Sequence, residues 1–437
     1  MRRGLIIAAP ASGAGKTTVT LGVVRALRDA GVPVAAAKAG PDYIDPAFLA
    51  AAAGRPAPNL DAWAMRQSTL DAALTAIDDA DLIVVEGVMG LFDGIGAAGI
   101  GSTADLAQAL GWPVVLVLDA AGAAASVAAV LGGFAHHRPG VAIAGMIVNR
   151  VGSAAHAATI DGACAAACPE VRRLGALPRA DGLVVPSRHL GLVQAREHAD
   201  LDAFIARAGA LVAEHVDLAA LRTLAAPALP LIPEDDAPGL PPLGRRIAIA
   251  DDTAFAFHYP HVLDGWRRAG TALLPFSPLA DQAPDPSADA IYLPGGYPEL
   301  HAGRLAANRG FLEGLRAAAR RNVTIHGECG GYMVLGDALI DADGTHHAMA
   351  GLLPLTTSFA TRRRHLGYRT ATSLADGPLG PAGTRLRGHE FHYASVVAEG
   401  PGAPLFEIGD AHGSAAKPAG LRAGSVSGSF IHLIDRA

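Results

Sequence analysis

Short apolar runs alternate with longer alanine-rich stretches through the first half of the chain. The runs are rich in β-branched residues and cover positions 5–9, 32–36, 82–85, 114–118 and 141–148. Buried strands of a parallel sheet have such continuous apolar sequences, and the stretches between them are long enough for connecting helices. The pattern therefore predicts an α/β domain in which helices cover a parallel sheet.

A proline-rich segment interrupts this pattern at residues 226–244. It reads APALPLIPEDDAPGLPPLG, is acidic and has no periodicity, which is typical of a linker between domains. Apolar runs resume at 247–250, 272–275, 290–293 and 323–325, and a helical stretch covers 308–321. The sequence thus predicts two α/β domains, residues 1–225 and 245–437, joined by this linker.

The bulk composition argues against several classes of partner. The 437-residue chain has 51% hydrophobic residues, 17% charged residues and a formal net charge of −6, so it has ample core material and no basic excess. We therefore expect neither nucleic acid nor a membrane surface as a partner. The apolar run near the start is too short for a secretion signal, and no apolar stretch is long enough to span a membrane. With three cysteines and no secretion signal, we expect reduced thiols and a cytoplasmic protein.

The first apolar run leads into a glycine-rich loop that is typical of phosphate binding. Residues 9–18 read APASGAGKTT and precede a helical stretch, which is the context that a P-loop requires. Backbone N–H groups of the loop would hold the phosphates, Lys16 would reach the outer phosphates, and the Thr17 hydroxyl would bind magnesium. The predicted nucleotide-binding residues of this loop are Ser12, Gly13, Ala14, Gly15, Lys16, Thr17 and Thr18.

The start of this loop departs from the general P-loop pattern. Pro10 stands where the first glycine of the motif is expected, and Ala9 precedes it. This spacing resembles the longer loop of the dethiobiotin synthetase-like proteins. Asn149, in the segment GMIVNR, lies where related P-loop proteins contact adenine, so the resemblance implies a nucleotide-binding role for it. The alternative for Asn149 is a polar cap at the end of a strand.

Four acidic residues follow predicted strand ends in the first domain. They are Asp42, Asp45, Glu86 and Asp93. Magnesium prefers oxygen ligands, and the carboxyl ends of parallel strands meet at one edge of a sheet. We therefore expect Thr17, Asp42 and Glu86 to hold magnesium, with Glu86 as the best single candidate. A helix cap or a solvated charge is the alternative for any one of these acids taken alone.

A second candidate site lies in the other half of the chain. The apolar run 323–325 leads into GECGGYM, which places Cys329 among three glycines before a predicted helix. This layout is typical of a nucleophile elbow, a strand-to-helix turn so tight that only glycine fits beside the nucleophile. We expect the helix N-terminus to favour the thiolate form of Cys329. An inert core thiol is the alternative.

Several long motifs then resemble those of one enzyme family. Residues 38–48 read KAGPDYIDPAF, 59–65 NLDAWAM, 86–94 EGVMGLFDG and 189–195 HLGLVQA. These segments are similar to the corrinoid a,c-diamide synthases of vitamin B12 synthesis, and the similarity runs the length of the chain. It implies that MgATP phosphorylates the a and c carboxylates of hydrogenobyrinic or cobyrinic acid, and that ammonia from glutamine then displaces the phosphate. It also places Asp42, Asp45, Glu86 and Asp93 in the motifs for magnesium, ATP and the acyl phosphate, with Asp45 and Asp93 assigned to substrate activation.

The second domain resembles the class I glutamine amidotransferases. The resemblance implies that His432 is the base for Cys329 and that Gly296, in LPGGY, donates its backbone N–H to the oxyanion. In that class proline and glutamate follow the histidine, but here Leu433 and Ile434 occupy these positions. The third member of the triad is therefore missing at its usual spacing, as it is in the corrinoid amidases.

Two other functions remain open at this stage. A nickel sirohydrochlorin a,c-diamide synthase would share these motifs, and a non-catalytic P-loop regulatory ATPase would share the nucleotide loop. Such regulatory ATPases commonly have a signature lysine where this chain has Ala11, and they have no use for an elbow cysteine. The expected partners are glutamine, ATP and a corrinoid polycarboxylate, and a homodimer is left open.

Overall fold

The structure is a computed structural model that describes residues 2–180, 182–183, 187–188, 191–232 and 239–437. The chain divides into two compact units, the first containing Met1–Trp63 and Gln67–Asp235 and the second Ala64–Arg66 and Asp236–Ala437. His189 and Leu190 of the HLGLVQA motif lie outside the described residues, as do residues 233–238 of the predicted linker.

The first unit is built on a mainly parallel sheet, as the apolar runs predict. Its strands are β1 (Arg3–Ala8), β2 (Val34–Ala39), β3 (Asn59–Leu60), β4 (Leu82–Glu86), β5 (Val114–Asp119), β6 (Ile143–Val151), β7 (Arg172–Pro178), β8 (Ser187–Arg188), β9 (Gly191–Leu192) and β10 (Ala226–Pro227). The order across the sheet is β3-β2-β4-β1-β5-β6-β7, and β10 adds to β1 in the antiparallel direction. The β8 and β9 strands form a separate small pair.

Helices connect the parallel strands of this sheet. They are α1 (Lys16–Asp29), α2 (Asp45–Ala53), α3 (Gln67–Thr75), α4 (Thr103–Leu110), α5 (Val127–His137), α6 (Ala154–Ala167), α7 (Leu201–His215) and α8 (Leu218–Leu224). α1 packs closely on α7, because a Cβ at Gly22 would lie 2.5 Å from a methyl group of Val212. This contact holds the middle of α1 against α7, and the β1 strand that precedes the helix is buried.

The second unit combines parallel and antiparallel strands. They are β11 (Arg246–Ala250), β12 (Ala272–Phe276), β13 (Ala290–Leu293), β14 (Thr324–Glu328), β15 (Ala338–Ile340), β16 (His346–Ala348), β17 (Leu355–Ser358), β18 (His365–Ser373), β19 (Arg385–His392), β20 (Ser395–Glu399), β21 (Ala403–Asp410), β22 (Lys417–Ala423), β23 (Val426–Ser429) and β24 (Ile431–Arg436). Its helices are α9 (Pro260–Arg268), α10 (Ala302–Ala307), α11 (Arg309–Arg320) and α12 (Gly330–Leu335).

Two sheets organise these strands. In the larger one the order is β12-β11-β13-β14-β23-β22-β21-β18-β19-β24, and the smaller one runs β16-β15-β17-β20. The strands β12, β11, β13, β14 and β23 are parallel neighbours. The chain turns at Phe430 between β23 and β24, so that β24 pairs with β19 instead of continuing along β14.

The predicted elements agree with the structure to within a few residues. The run 290–293 coincides with β13, and the helix expected over 308–321 is α11, Arg309–Arg320. The two ends of the predicted linker are ordered: residues 226–227 pair with β1, and Leu240 and Leu243 are buried in the core of the second unit. Among the described residues, no helix combines the length and the apolar character needed to cross a bilayer.

Candidate functional sites

The predicted phosphate loop connects β1 to α1. Gly13 and Gly15 have φ angles of +86° and +89°, which lie in the left-handed region that glycine adopts without strain. Gly15 is the N-cap residue, and α1 begins at Lys16. Ser12 and Gly13 are exposed, whereas Ala14 and Lys16 are buried. The loop therefore presents backbone N–H groups and a helix N-terminus to one place, as an anion site requires.

Asn149 lies directly against this loop. Its Nδ2 atom donates a hydrogen bond of 2.9 Å to the carbonyl oxygen of Ala14, and a Cβ at Gly15 would lie 2.3 Å from the same nitrogen. Beside it is a cavity of about 240 Å³ whose lining includes Thr18, Asn149, Arg150 and Leu177. Asn149 is thus at the end of β6 and next to the phosphate loop, where it could contact a nucleotide base.

A buried cluster of charged groups joins the ends of three neighbouring strands. Thr17 Oγ1 donates to Glu86 Oε1 at 2.5 Å, and Lys38 Nζ lies 3.0 Å from the same oxygen. Lys38 Nζ also lies 2.5 Å from Asp45 Oδ2. Because β2 and β4 are parallel neighbours with Lys38 opposite Glu86, the sheet register itself creates this cluster.

Burial changes the protonation equilibria in this cluster. Burial raises the pKa of Glu86 to about 7, against the opposing effect of the Lys38 ammonium. The pKa of Lys16 is lowered by burial and by Lys38. Burial also acts to lower the pKa of Lys38, but the carboxylates of Asp45 and Glu86 outweigh it and raise that pKa. Lys38 therefore stays charged, while Glu86 can change its protonation state near neutral pH.

The other predicted acids have different surroundings. Asp42 Oδ1 accepts hydrogen bonds from the N–H groups of Ile44 at 2.7 Å and Asp45 at 2.9 Å, which supports the start of α2. Its pKa is raised by burial and by the neighbouring Asp45 carboxylate. Asp93 is exposed, and its Oδ2 accepts the N–H of Gly90 at 2.8 Å. Asp42 is thus partly a local cap, and Asp93 lies in a loop outside the buried cluster.

Sequence reasoning missed the role of Lys38. The residue is 2% exposed and bridges two of the predicted acids. It also missed Asn59, whose Nδ2 donates to the carbonyl oxygens of Gly40 at 2.9 Å and Asp42 at 2.8 Å and so holds the loop after β2. A lysine at the end of an otherwise apolar strand was the available signal for the first residue, since a buried lysine needs a charged partner.

Cys329 occupies the turn that its glycines predict. It follows β14, precedes α12 and has φ +47° and ψ −104°, a conformation that a residue with a Cβ rarely adopts. A Cβ at Gly327 would lie 2.7 Å from the backbone carbon of Gly331, and one at Gly331 would lie 2.0 Å from the carbonyl oxygen of Leu293. Only glycine fits these two positions, so the strained elbow is a consequence of the local sequence.

The imidazole of His432 lies next to this elbow. A Cβ at Gly295 would lie 2.2 Å from His432 Cε1, 2.9 Å from His432 Nε2 and 3.2 Å from Cys329 Cβ. Residue 295 must therefore be glycine for the ring to lie beside the cysteine. A Cβ at Gly330 would lie 3.1 Å from the backbone nitrogen of Gly296, so the predicted oxyanion donor is also beside the elbow.

Burial disfavours the charged forms of both the thiol and the imidazole. Burial, and then the nearby Glu299 carboxylate, raise the pKa of Cys329, although the backbone N–H of Gly330 opposes the shift. The pKa of His432 is lowered to about 3 by burial and by His389. The N–H of Gly330 at the start of α12 acts in the direction expected of a helix N-terminus, but burial of the thiol outweighs it, so the net shift disfavours the thiolate.

The missing triad carboxylate is not supplied by the residues that follow His432. Leu433 and Ile434 are buried, as apolar side chains in β24 should be. Asp435 is buried too, but its Oδ1 lies 3.0 Å from Nη2 of Arg66, and its Oδ2 accepts the N–H of that residue at 2.9 Å. Both residues belong to the second unit. Asp435 therefore holds Arg66 and does not take the place of the triad carboxylate.

A histidine-rich segment in β19 also borders the site, although the sequence suggested no chemistry for it. His392 Nε2 lies 3.0 Å from Glu390 Oε1, and its ring stacks on Phe430 with centroids 4.0 Å apart. His365, Glu390 and His392 place ligand atoms within 4.8 Å of one another. The two imidazole rings are nearly parallel, at 8°, so their in-plane lone pairs do not converge on one point. We interpret the group as an internal hydrogen-bonding network.

Comparisons with known proteins cover both domains. Residues 5–193 match the model of the CobQ/CobB/MinD/ParA nucleotide binding domain, and residues 246–436 match that of the CobB/CobQ-like glutamine amidotransferase domain. The chain is 55% identical to the hydrogenobyrinate a,c-diamide synthase of Rhodobacter capsulatus, over 99% of this chain and 98% of that protein. It is 53% identical to the proteins of the same name from Brucella anthropi, over 99% and 98%, and Rhizobium meliloti, over 99% of each chain.

Similar solved structures include a glutamine amidotransferase, at 16% identity and a TM-score of 0.30, which covers 43% of this chain and 89% of that one. This likeness is too low to support a conclusion. The two sites and the two matched domains define the class: a glutamine amidotransferase joined to a P-loop nucleotide-binding domain. Within that class, the chain belongs to the hydrogenobyrinate a,c-diamide synthase family.

Proposed function

We propose that this protein uses ATP and glutamine to amidate the a and c carboxylates of hydrogenobyrinic acid, in the cytoplasm. The names of the relatives support the substrate, and the arrangement of Cys329 and His432 around Gly295 is the observation that carries the proposal. Residues 1–225 would form the synthetase domain and residues 245–437 the glutaminase domain. Cobyrinic acid, which has the same side chains around a cobalt ion, is the closest alternative substrate.

The glutaminase step follows from the geometry of the elbow. His432 would take the proton of Cys329 as the sulfur attacks the side-chain amide of glutamine. The backbone N–H of Gly296 would stabilise the oxyanion, and the imidazolium would return the proton to the leaving ammonia. His432 would then take a proton from a water molecule as the water attacks the thioester, which releases glutamate and the Cys329 thiol. Since both groups are neutral before substrate arrives, the proton transfer would occur in the complex with glutamine.

The first unit would activate the acceptor carboxylate. Carboxylate is a poor acyl donor, so it takes the terminal phosphoryl group of ATP, and ammonia then displaces phosphate from the acyl phosphate. The loop Ser12–Thr18 would hold the phosphates and Asn149 the adenine. Lys16 and Lys38 would place positive charge near the transferring phosphoryl group. Asp45 and Asp93 would orient the acceptor carboxylate or the acyl phosphate.

Magnesium fits the residues of the first unit. Among the described residues, Oδ1 of Asp45 and Oε2 of Glu86 are buried without a hydrogen-bond partner, and such oxygens are suitable cation ligands. Thr17 and Glu86 would hold the ion, and Asp42 would contribute through its second carboxylate oxygen. When bound, magnesium would neutralise charge on the phosphates. Regardless of the ion, Thr17 and Lys38 fix the position of the Glu86 carboxylate.

Mass spectrometry of substrate competition tests the proposal. The protein would receive MgATP, amide-labelled heavy-nitrogen glutamine, and an equimolar mixture of hydrogenobyrinic acid, cobyrinic acid and nickel sirohydrochlorin. We expect heavy nitrogen to enter hydrogenobyrinic acid twice. Preferential labelling of nickel sirohydrochlorin would show that this macrocycle, and not hydrogenobyrinic acid, is the substrate. Glutamine hydrolysis without labelling of any macrocycle would reject the corrinoid assignment, and ATP hydrolysis without glutaminase activity would favour a regulatory ATPase.

A further inference from the structure

Two neighbouring strands hold the nucleophile and the base of the glutaminase site. β14 leads into Cys329, and β24 carries His432. Within residues 239–437, all of which the structure describes, no ladder joins these strands: β14 pairs with β13 and β23, and β24 pairs with β19 at the end of the sheet. An end strand has N–H groups on its outer side that no ladder partner accepts. The position of the base relative to the nucleophile therefore depends on other contacts.

The side chain of Glu328 connects the two strands. This residue is the last of β14 and directly precedes Cys329. Its Oε1 atom accepts the N–H of Leu433 at 3.2 Å, from a position 105 residues further along the chain. That N–H belongs to the peptide group that follows His432. The acid next to the nucleophile is thus bonded to the main chain next to the base.

The same peptide group is also held from its other side. A Cβ at Gly388 would lie 2.4 Å from the carbonyl oxygen of His432, so β19 packs against this oxygen at a position where only glycine fits. Leu433 is the ladder partner of Gly388. With its N–H bonded to Glu328 and its oxygen against Gly388, the peptide group has a fixed orientation. The side chain of His432 starts from the adjoining Cα atom, so its direction is fixed as well.

The Glu328 carboxyl is itself anchored by buried neighbours. Its Oε2 atom accepts the hydroxyl of Tyr292 at 2.7 Å, and the rings of Tyr292 and His326 are nearly parallel, at 8°, with centroids 6.5 Å apart. His326 Nδ1 lies 3.0 Å from Ser427 Oγ. All four residues are buried, and they come from the adjacent strands β13, β14 and β23. The carboxyl therefore has a fixed place from which to hold β24.

The protonation of Glu328 favours a role in geometry over a role in charge. Burial raises its pKa to about 8, so this carboxyl is mostly protonated at neutral pH. An uncharged carboxyl cannot balance an imidazolium as a triad carboxylate does, but its carbonyl oxygen still accepts an N–H. Glu390 in β19 remains charged, and its two oxygens bond to His392 at 3.0 Å and to Arg369 at 2.7 Å.

We propose that Glu328 is a positioning residue for the glutaminase reaction, which fixes the peptide group after His432 and thereby the direction of the imidazole towards Cys329. The inference rests on the proposed glutaminase function. In a catalytic triad the carboxylate orients the ring itself. Here the acid that precedes the nucleophile orients the main chain that carries the ring. In this role Glu328 touches neither glutamine nor a reacting atom.

Two replacements of Glu328 test this role. Glu328→Leu leaves the N–H of Leu433 without its acceptor, whereas Glu328→Gln keeps an acceptor oxygen in the same place. We expect kcat for glutamine hydrolysis to fall about 100-fold in Glu328→Leu, as for a misplacement of about 1 Å, with KM for glutamine unchanged. Glu328→Gln should keep most of kcat. A loss in Glu328→Gln as large as that in Glu328→Leu would overturn the proposal.

Ser427→Ala is the matched control for stability. It removes the hydrogen-bond partner of His326 in the same buried cluster and leaves the contact between Glu328 and Leu433 in place. It should lower the temperature of unfolding, measured by calorimetry, without lowering kcat. If it lowered kcat as much as Glu328→Leu does, general destabilisation would explain both effects and the proposal would be wrong. A folded Glu328→Leu protein with the kcat of the unmodified protein would also reject it.

Tyr292→Phe decides the question if Glu328→Leu does not fold. It removes the hydroxyl that anchors Oε2 of Glu328 and keeps the ring that packs edge-on against Trp266, with centroids 5.4 Å apart. We expect kcat to fall about fivefold, the effect of one neutral hydrogen bond, with KM for glutamine unchanged. An unchanged kcat in Tyr292→Phe would count against the positioning role.

The proposed function and this inference can fail separately. If the unmodified protein uses ammonia but does not hydrolyse glutamine, the glutaminase proposal fails and the role of Glu328 falls with it. If the unmodified protein, Ser427→Ala and Glu328→Leu all hydrolyse glutamine equally well, only the positioning role is rejected. Each rate is divided by the ammonia-dependent amidation rate of the same variant, which needs no Cys329 chemistry, so that a loss of active protein does not enter the comparison.

Discussion

The hydroxyl of Thr17 donates a hydrogen bond of 2.5 Å to Oε1 of Glu86, which joins the first turn of α1 to the end of β4. The two residues are 69 positions apart in the chain. Their contact exists because β1 and β4 are parallel neighbours with Ile7 opposite Glu86, so the phosphate loop that follows β1 reaches the acid. Two of the predicted magnesium ligands, Thr17 and Glu86, therefore meet beside the phosphate loop.

Replacing Glu86 should change the pH dependence of magnesium and ATP binding. The pKa of this carboxyl is raised to about 7 by burial, so it gains a proton as the pH falls below that value and loses its attraction for a cation. We expect MgATP affinity to fall between about pH 8 and pH 6 in the unmodified protein. Glu86→Gln should bind more weakly and lack this dependence, as calorimetry across the range would show. An unchanged pH profile in Glu86→Gln would contradict the assignment.

Replacing Lys38 should leave two buried carboxylates unbalanced. Removal of one partner of a buried ion pair typically costs about 3–5 kcal/mol, so Lys38→Met should lower the free energy of unfolding of the first unit by an amount of that order. Magnesium should restore more stability to this variant than to the unmodified protein, because a cation can replace the ammonium charge. Thermal unfolding with and without magnesium measures both effects.

The exposed Lys417, in the second unit, offers a control for this change. Lys417→Met should alter neither the stability nor its magnesium dependence. ATP-dependent amidation should fall about 100-fold in Lys38→Met, while glutamine hydrolysis continues. Full amidation activity in Lys38→Met would show that Lys38 has a structural role only and does not take part in the reaction.

Adding a methyl group at Gly15 should displace Asn149. The new Cβ would lie 2.3 Å from Asn149 Nδ2, and the left-handed φ of +89° adds strain of about 1–2 kcal/mol for any residue other than glycine. We expect Gly15→Ala to weaken ATP binding at least about tenfold, or about 1.4 kcal/mol, measured by equilibrium dialysis. Gly31→Ala is the matched control, since Gly31 has φ +76° and open space around its Cβ position. If both variants lost the same affinity for ATP, backbone strain alone would explain the effect.

Cys329→Ala should separate the two sources of ammonia. Glutamine-dependent amidation should fall about 10³-fold or more because the nucleophile is gone, while added ammonium salts should still support amidation. Product formation with each nitrogen source is the measurement. Cys164→Ala, at another buried cysteine in α6, should retain both activities. Loss of both activities in Cys329→Ala would indicate a different role for the thiol.

Glu328 should make the second unit less stable at high pH. Burial raises its pKa from 4.5 to about 8, so the folded state binds its proton more tightly than the unfolded state does. The stabilisation is fully present below pH 4.5 and is lost as the pH rises towards 8, at up to about 1.4 kcal/mol per pH unit. Glu299, whose pKa is also raised to about 8 by burial, contributes in the same direction.

Glu328→Gln should therefore reduce, and not abolish, this pH dependence. Hydrogen exchange of peptides from β13 and β14 at about pH 6 and pH 9 would measure local stability, after correction for intrinsic exchange. The exposed Glu313 on α11 provides the control Glu313→Gln, which should leave the slope unchanged. A steeper loss of protection in Glu328→Gln than in the unmodified protein would contradict the argument.

Local signals predicted much of the two sites. The glycines around Cys329 can only be explained by a tight elbow, and the structure contains that elbow with φ +47° at the cysteine. The phosphate loop is equally local, since Gly13 and Gly15 adopt the left-handed conformations that its turn needs. Both predictions depend on backbone sterics within a few residues, and the positions of the glycines in the sequence are enough to indicate them.

Long-range partners could not be predicted in the same way. Lys38 meets Asp45 and Glu86 only because of the register between β2 and β4. The sequence around Lys38 does not predict that register. The net protonation of Cys329 could not be predicted for a similar reason. The helix N-terminus is visible in the sequence, but the depth of burial that raises the thiol pKa is a property of the packed unit.

The sequence by itself determined the α/β class, the phosphate loop, the elbow cysteine and the absence of a glutamate after His432, because each depends on short-range periodicity, sterics or spacing. Only the tertiary structure decided which charges meet and which acids near the elbow are bonded to other groups. Glu390 and Glu328 are close to the elbow, yet their carboxylate oxygens form hydrogen bonds with Arg369, His392, Tyr292 and the backbone of Leu433. Most of these partners are far apart in the chain, so only packing in three dimensions decides which of them meet.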